Sequence, residues 1–235
     1  MKHHIISAAL AATISTGMAT AQEFKGDITL GYSAFWDDTD FNTLSGTGSF
    51  EFGMGDRASV QVDLGLYGFG FANEEGTNLV LHGIYDVNPQ GSVGLFLGVD
   101  SAAGVRDEFY GIEYGQSFGT GSFEVYAARG EDAGVSGTVI GAEGLFSVSD
   151  SFGIGVKLDN ADYSGQFEAR RIGVKGNYGL GQGSSVFAEI GTARIEDGTT
   201  TLLNEPFVGI GLSFNLGEGK ATFGQRSQFA LIPGL

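Results

Sequence analysis

The residues able to do chemistry in this sequence are charged side chains set singly into apolar stretches. Asp27, Glu51, Asp63, Asp86, Asp100, Glu113, Glu124, Glu143, Asp159 and Glu189 each stand between two uncharged neighbours. Lys25, Lys157, Arg171 and Lys175 lie in stretches of the same kind. In an extended chain, such spacing sends the charge to one side and its neighbours to the other. A dry interior cannot hold so many isolated carboxylates, because a buried unpaired charge is prohibitive. The charged side is therefore expected to line water. Acids spread over the first strands, with the bases Lys157, Arg171 and Lys175 gathered later, would give an acidic wall and a small basic sector. Their transverse field orients and selects ions. Hairpin arithmetic also puts Lys157 near Glu143 and Lys175 near Glu189, so local ion pairs bracket the basic sector as well.

Catalytic alternatives are weak. Nucleophilic hydrolysis by a Ser-His pair needs a base with a placed partner. Apart from His3 and His4, the chain has one histidine, His82, flanked by Leu81 and Gly83, with no serine two positions away on its side. It reads as a structural histidine, and no catalytic residue is assigned. The acidic runs Trp36-Asp37-Asp38-Thr39-Asp40 and Glu74-Glu75 offer hard oxygen ligands, yet no spacing matches a calcium loop. They read as solvated links, with no metal and no cofactor. The run Gly65-Leu66-Tyr67-Gly68-Phe69-Gly70 has no helix after it, so it reads as close packing or lumen clearance rather than a phosphate loop.

The elements that position these charges are strands. In Val208-Gly209-Ile210-Gly211-Leu212-Ser213-Phe214-Asn215-Leu216, every second residue is bulky and apolar, and those between are small or polar. The same period of two recurs from about residue 24 onward. Ile28, Leu30 and Tyr32 oppose Asp27 and Thr29; Leu95 and Leu97 oppose Asp100; Ile154, Val156 and Leu158 oppose Lys157 and Asp159. About twelve strands of roughly ten to thirteen residues result, the span a tilted strand needs to cross a bilayer.

Two kinds of connection alternate. Residues 54–57, 88–91, 118–121, 149–151 and 181–183 carry tight-turn chemistry. Between them lie longer polar links at 36–41, 72–77, 102–107, 130–136, 160–166 and 196–206. In an up-and-down sheet, short turns would then gather at one end and longer loops at the other.

Composition bounds the alternatives. Among 235 residues there are 41 Gly and 19 Phe but only 3 Pro and no Cys, which removes disulfides and thiolate metal sites. A formal net charge of −16 excludes nucleic acid as a partner, since nothing neutralises phosphate. Lys2, His3 and His4, the apolar run 5–12 and Ala19-Thr20-Ala21 have the layout of a secretory signal over residues 1–21, cleaved before Gln22.

The expected fold is all-β: a transmembrane antiparallel up-and-down β-barrel of about twelve strands over residues 22–217. Its bulky face meets lipid and its polar face a lumen. Tyr32, Trp36 and Tyr110 near the loop end, and Phe50, Phe52, Tyr85, Tyr114 and Tyr178 near the turn end, fall where interfacial aromatic girdles sit. On these features the sequence resembles Gram-negative outer-membrane porins and related channel barrels over roughly 23–217. The resemblance implies passive diffusion of small hydrophilic solutes and ions, and contact with outer-membrane lipid and lipopolysaccharide. The surplus of acid adds an expected weak cation preference. The alternative of another class is a non-conducting barrel with a structural or adhesion role.

Two departures from that resemblance stand out. No link is long enough for an inward-folded constriction loop. The chain also does not end on an aromatic residue closing the last strand. Residues 218–235 form a tail whose Lys220, Arg226 and Phe229 line the periplasmic mouth, plug the lumen or hang free; the residues do not choose.

Overall fold

The computed structural model describes residues 23–132, 135–163 and 167–232. The expected signal segment lies outside them.

Twelve strands close into one barrel: β1 (Phe24–Phe35), β2 (Asn42–Gly53), β3 (Ala58–Phe69), β4 (Glu74–Asn88), β5 (Gly91–Ala102), β6 (Val105–Phe118), β7 (Gly121–Asp132), β8 (Val135–Ser147), β9 (Phe152–Tyr163), β10 (Phe167–Gly181), β11 (Ser184–Asp197) and β12 (Thr200–Gly217). Each pairs antiparallel with its sequence neighbours, and β1 pairs with β12 from Lys25↔Gly217 to Phe35↔Phe207. Closure leaves no strand edge unpaired. A 3₁₀ turn at Gln228–Ala230 follows.

The alternation places the faces as expected. Leu95 and Ile210 are more than half exposed on the outside, and Ile154 is 39% exposed. Glu51, Asp63 and Lys157 point inward, the first two buried. A continuous outer surface of exposed Leu, Ile, Val and Phe on this scale belongs in hydrocarbon rather than water.

Two features differ from the expectation. Most of the longer links are strand: β4 already begins at Glu74, β6 at Val105 and β12 at Thr200, leaving turns of 70–73, 103–104 and 198–199. The link 36–41 is the longest described. Polar residues there mark a part of the barrel that stands in water without leaving the ladder. Arg170 donates to Asn160 across the strand pair and bonds Glu168, and Arg194 bonds Glu196. Polarity signals solvent, not loss of pairing.

The inner face is also not uniformly small and charged. Phe96, Phe109, Tyr126 and Tyr163 point inward as well. Several lie on glycines of adjoining strands: a Cβ on Gly111 would stand 2.4 Å from the Phe96 ring, and one on Gly141 would stand 2.1 Å from that of Tyr126. Part of the glycine content thus clears room for inward aromatics.

Candidate functional site

The lumen is occupied by the chain's own C-terminal segment. After β12 the backbone turns at Gly217, with φ +60°, where an added Cβ would stand 2.2 Å from the Phe24 carbonyl oxygen. Only glycine fits a left-handed bend so close to backbone. The Glu218 N–H donates to the Phe24 carbonyl and the Gly26 N–H to that of Gly219, which tie the bend to the start of β1. From there the segment runs inward. Ala221, Phe223, Arg226 and Leu231 are buried, Phe223 completely.

Wall side chains on β2–β5, β7 and β10 hold its main chain. Glu51 accepts from the Thr222 N–H (2.7 Å) and Glu124 from the Gly224 N–H (3.0 Å). Gln61 makes two bonds to one residue, accepting from the Phe223 N–H (3.2 Å) and donating to its carbonyl (2.9 Å). Asn78 donates to the Arg226 carbonyl (3.0 Å), Asp100 accepts from the Gln228 N–H (2.6 Å), and Arg171 donates to the Ala230 carbonyl (2.6 Å). Side chains add to this: Gln225 donates to Asn78, Ser227 to Asp100, and Tyr163 to Gln228.

Arg226 is a buried cation of the segment. Its guanidinium reaches Glu113 (3.1 Å) and Glu124 (3.3 Å) and lies 4.3 Å from the centre of the Tyr126 ring. Behind it, Glu113 also bonds His82 Nδ1 (2.7 Å), and Asp63 bonds His82 Nε2 (2.9 Å), with His82 and Asp63 fully buried. Both ring nitrogens face carboxylate oxygens, and only the doubly protonated ring donates to both. Neither nitrogen is left for a serine hydroxyl, so the structural reading of His82 accounts for both of its bonds.

The far end of the segment meets an apolar sector. Leu231 belongs to a buried apolar cluster with Val80, Phe96, Phe109, Ala128, Val139, Ala161, Tyr163 and Ala169, while Ile232 packs against it and against the cluster of Phe35, Ala193 and Phe207. Phe229 makes edge contacts with Tyr67 and Phe69, which face inward from the glycine-rich run on β3. The space left between Leu231 and this wall is about 20 Å³, about one water.

The ten acids and four bases expected to face inward all lie on the inner face. Asp27, Glu51, Asp63, Asp100, Glu113, Asp159 and Arg171 are buried there; Lys25, Asp86, Glu124, Glu143, Lys157, Lys175 and Glu189 are half-buried. The registers Glu143↔Lys157 and Lys175↔Glu189 match the hairpin arithmetic. The ion pairs do not follow it. Lys175 reaches Glu143 (3.5 Å), Arg171 takes Glu189 (2.6 Å), and Lys157 lies 4.0 Å from Asp159. Lys25 pairs with Glu23, and Asp86 accepts from Ser92. Residues the sequence reading passed over include Gln61, Asn78 and Tyr126, whose inward side chains share the alternation but carry no charge to draw attention. Of the aromatics expected at the rims, Tyr32, Trp36, Phe52, Tyr85, Tyr110 and Tyr178 are exposed on the outside, with Phe50 and Tyr114 half-exposed there.

A closed barrel with an apolar outside and a charged inside has the architecture of outer-membrane channel proteins. Among solved structures, the chain is similar to the KdgM porin (12% identity, TM-score 0.62, covering 80% of this chain and 98% of that one). It is also similar to the NanC porin (10%, 0.62, 81% and 100%) and to an outer membrane channel from Pseudomonas putida F1 (11%, 0.56, 85% and 97%). At these identities the likeness is one of fold. No protein-family model and no curated protein matches the sequence.

Proposed function

We propose that the protein is an outer-membrane channel of the porin type, passing small hydrophilic solutes and ions passively when its lumen is free. The carrying observation is the sorting of side chains: charge faces inward along the barrel, while the outside is apolar. In this reading the protein is exported by its N-terminal signal and binds no cofactor or metal. The end bearing residues 54–57, 89–90 and 119–120 faces the periplasm, and Trp36, Tyr110 and the other outer aromatics sit at the lipid boundaries. The inner charges then line the pore, and the surplus of acid over Lys25, Lys157, Arg171 and Lys175 favours cations. One KdgM structure is a complex with oligogalacturonate. An acidic saccharide is disfavoured here by the acidic wall.

Planar-bilayer recording tests this. Discrete ohmic steps, with reversal potentials in a salt gradient displaced toward cations, are expected. Anion-favouring potentials would remove the selectivity claim. A non-conducting barrel with a structural or adhesion role is the second reading, favoured by the filled lumen. Silence at high protein, with the tail demonstrably out of the lumen, would establish it over the channel.

A further inference from the structure

We propose that the inner wall of β2–β7 is a binding site for a peptide segment, which residues 221–232 fill in cis as a reversible plug.

The contacts are those of a receptor with a peptide rather than of a core with its own strand. Wall side chains take the N–H of Thr222, Gly224 and Gln228 and the carbonyl of Arg226, and Gln61 takes both main-chain groups of Phe223. Such contacts read the main chain whatever its side chains. Selectivity comes from three places. Arg226 sits between two carboxylates and against an aromatic ring. Gly224 fits where an added Cβ would stand 2.7 Å from Glu124. Phe223 is fully buried over Gly94 and Gly115, and Phe229 packs on Tyr67 and Phe69. The ligand class is therefore a peptide with one arginine, a glycine two residues before it and aromatics on either side, able to turn after the arginine as Gln228–Ala230 does.

Reversibility follows from what the segment lacks. The barrel is closed by β1 and β12 alone, so no strand-to-strand bond breaks when residues 221–232 leave. The ties to the ladder stop at Gly219, and the covalent tether is at the Gly217 bend. Withdrawal is therefore toward the end at which the segment enters. The groups it leaves are hydratable: Glu51, Gln61, Asn78, Asp100 and Glu124 are polar, and Glu113 keeps His82.

The chain has no cysteine, so Ser227→Cys in the full-length protein, reconstituted in liposomes, reports plug position by the rate of modification with a charged thiol reagent. A slow rate is expected. It should rise at least tenfold with Glu113→Gln plus Glu124→Gln, or when a synthetic peptide of residues 218–232 is added at millimolar concentration. Equal rates under all conditions would overturn the proposal. Should the double substitution prevent folding, Arg226→Ala and the peptide addition leave the wall intact and decide alone. Conductance recorded in parallel separates the two readings. In the substituted variants without added peptide, a released thiol without current refutes the channel, whereas current with a protected thiol refutes the plug.

Discussion

The side-chain amide of Gln61 bonds both main-chain groups of Phe223, with its oxygen 3.2 Å from the N–H donor and its nitrogen 2.9 Å from the carbonyl, and both residues are fully buried. One strand residue thereby satisfies a tail residue separated from it by most of the chain. Gln61 also donates to Asp63, a partner of His82, so the contact joins the tail to the buried charge cluster.

Replacing Gln61 with leucine keeps the volume and removes these bonds. It leaves the Phe223 groups and an Asp63 oxygen short of partners, at a cost of about 1–3 kcal/mol for a buried group left unsatisfied. Urea titration of the folded barrel in detergent checks it. A change below about 0.5 kcal/mol would mean that water reaches these groups.

Arg226→Met removes a buried cation from between Glu113 and Glu124. Taking one partner from a buried pair costs about 3–5 kcal/mol. Adding Glu113→Gln to this variant should recover part of the loss, and a double-mutant cycle measures the coupling. Simple additivity would show that the two side chains do not interact.

Gly217→Val places a branched side chain in the left-handed region and against the Phe24 carbonyl. The bend cannot form, so the segment should stay outside the barrel and be clipped by added protease, while the barrel keeps its heat-modifiable migration on a gel. A protease-resistant tail in this variant would contradict the role given to the bend.

Leu95→Arg tests the outer face. Leu95 is 67% exposed on the outside, midway along β5. Arginine facing lipid near the bilayer midplane costs about 2–4 kcal/mol. Folding into lipid vesicles followed against urea should show that loss. A neutral result would place this face in water.

The alternation of side chains was enough to determine the strands, their approximate number and which face each residue takes. Leu95 and Ile210 fall outside and Glu51 and Lys157 inside, because a period of two leaves no other choice once a strand is paired. It also determined the registers Glu143↔Lys157 and Lys175↔Glu189. Three things were decided only in three dimensions. Lys175 bonds Glu143 and leaves Glu189 to Arg171, because a tilted, closed sheet brings inward side chains together diagonally and across strands that hairpin arithmetic does not relate. The polar links at 72–77, 102–107 and 196–206 largely remain strand, because pairing with a neighbour, not hydrophobicity, holds a ladder above the apolar band. The tail's course was undetermined because residues 218–232 have no alternation of their own. Their place depends on Gln61, Asn78, Glu113 and Glu124, which four different strands bring to one wall.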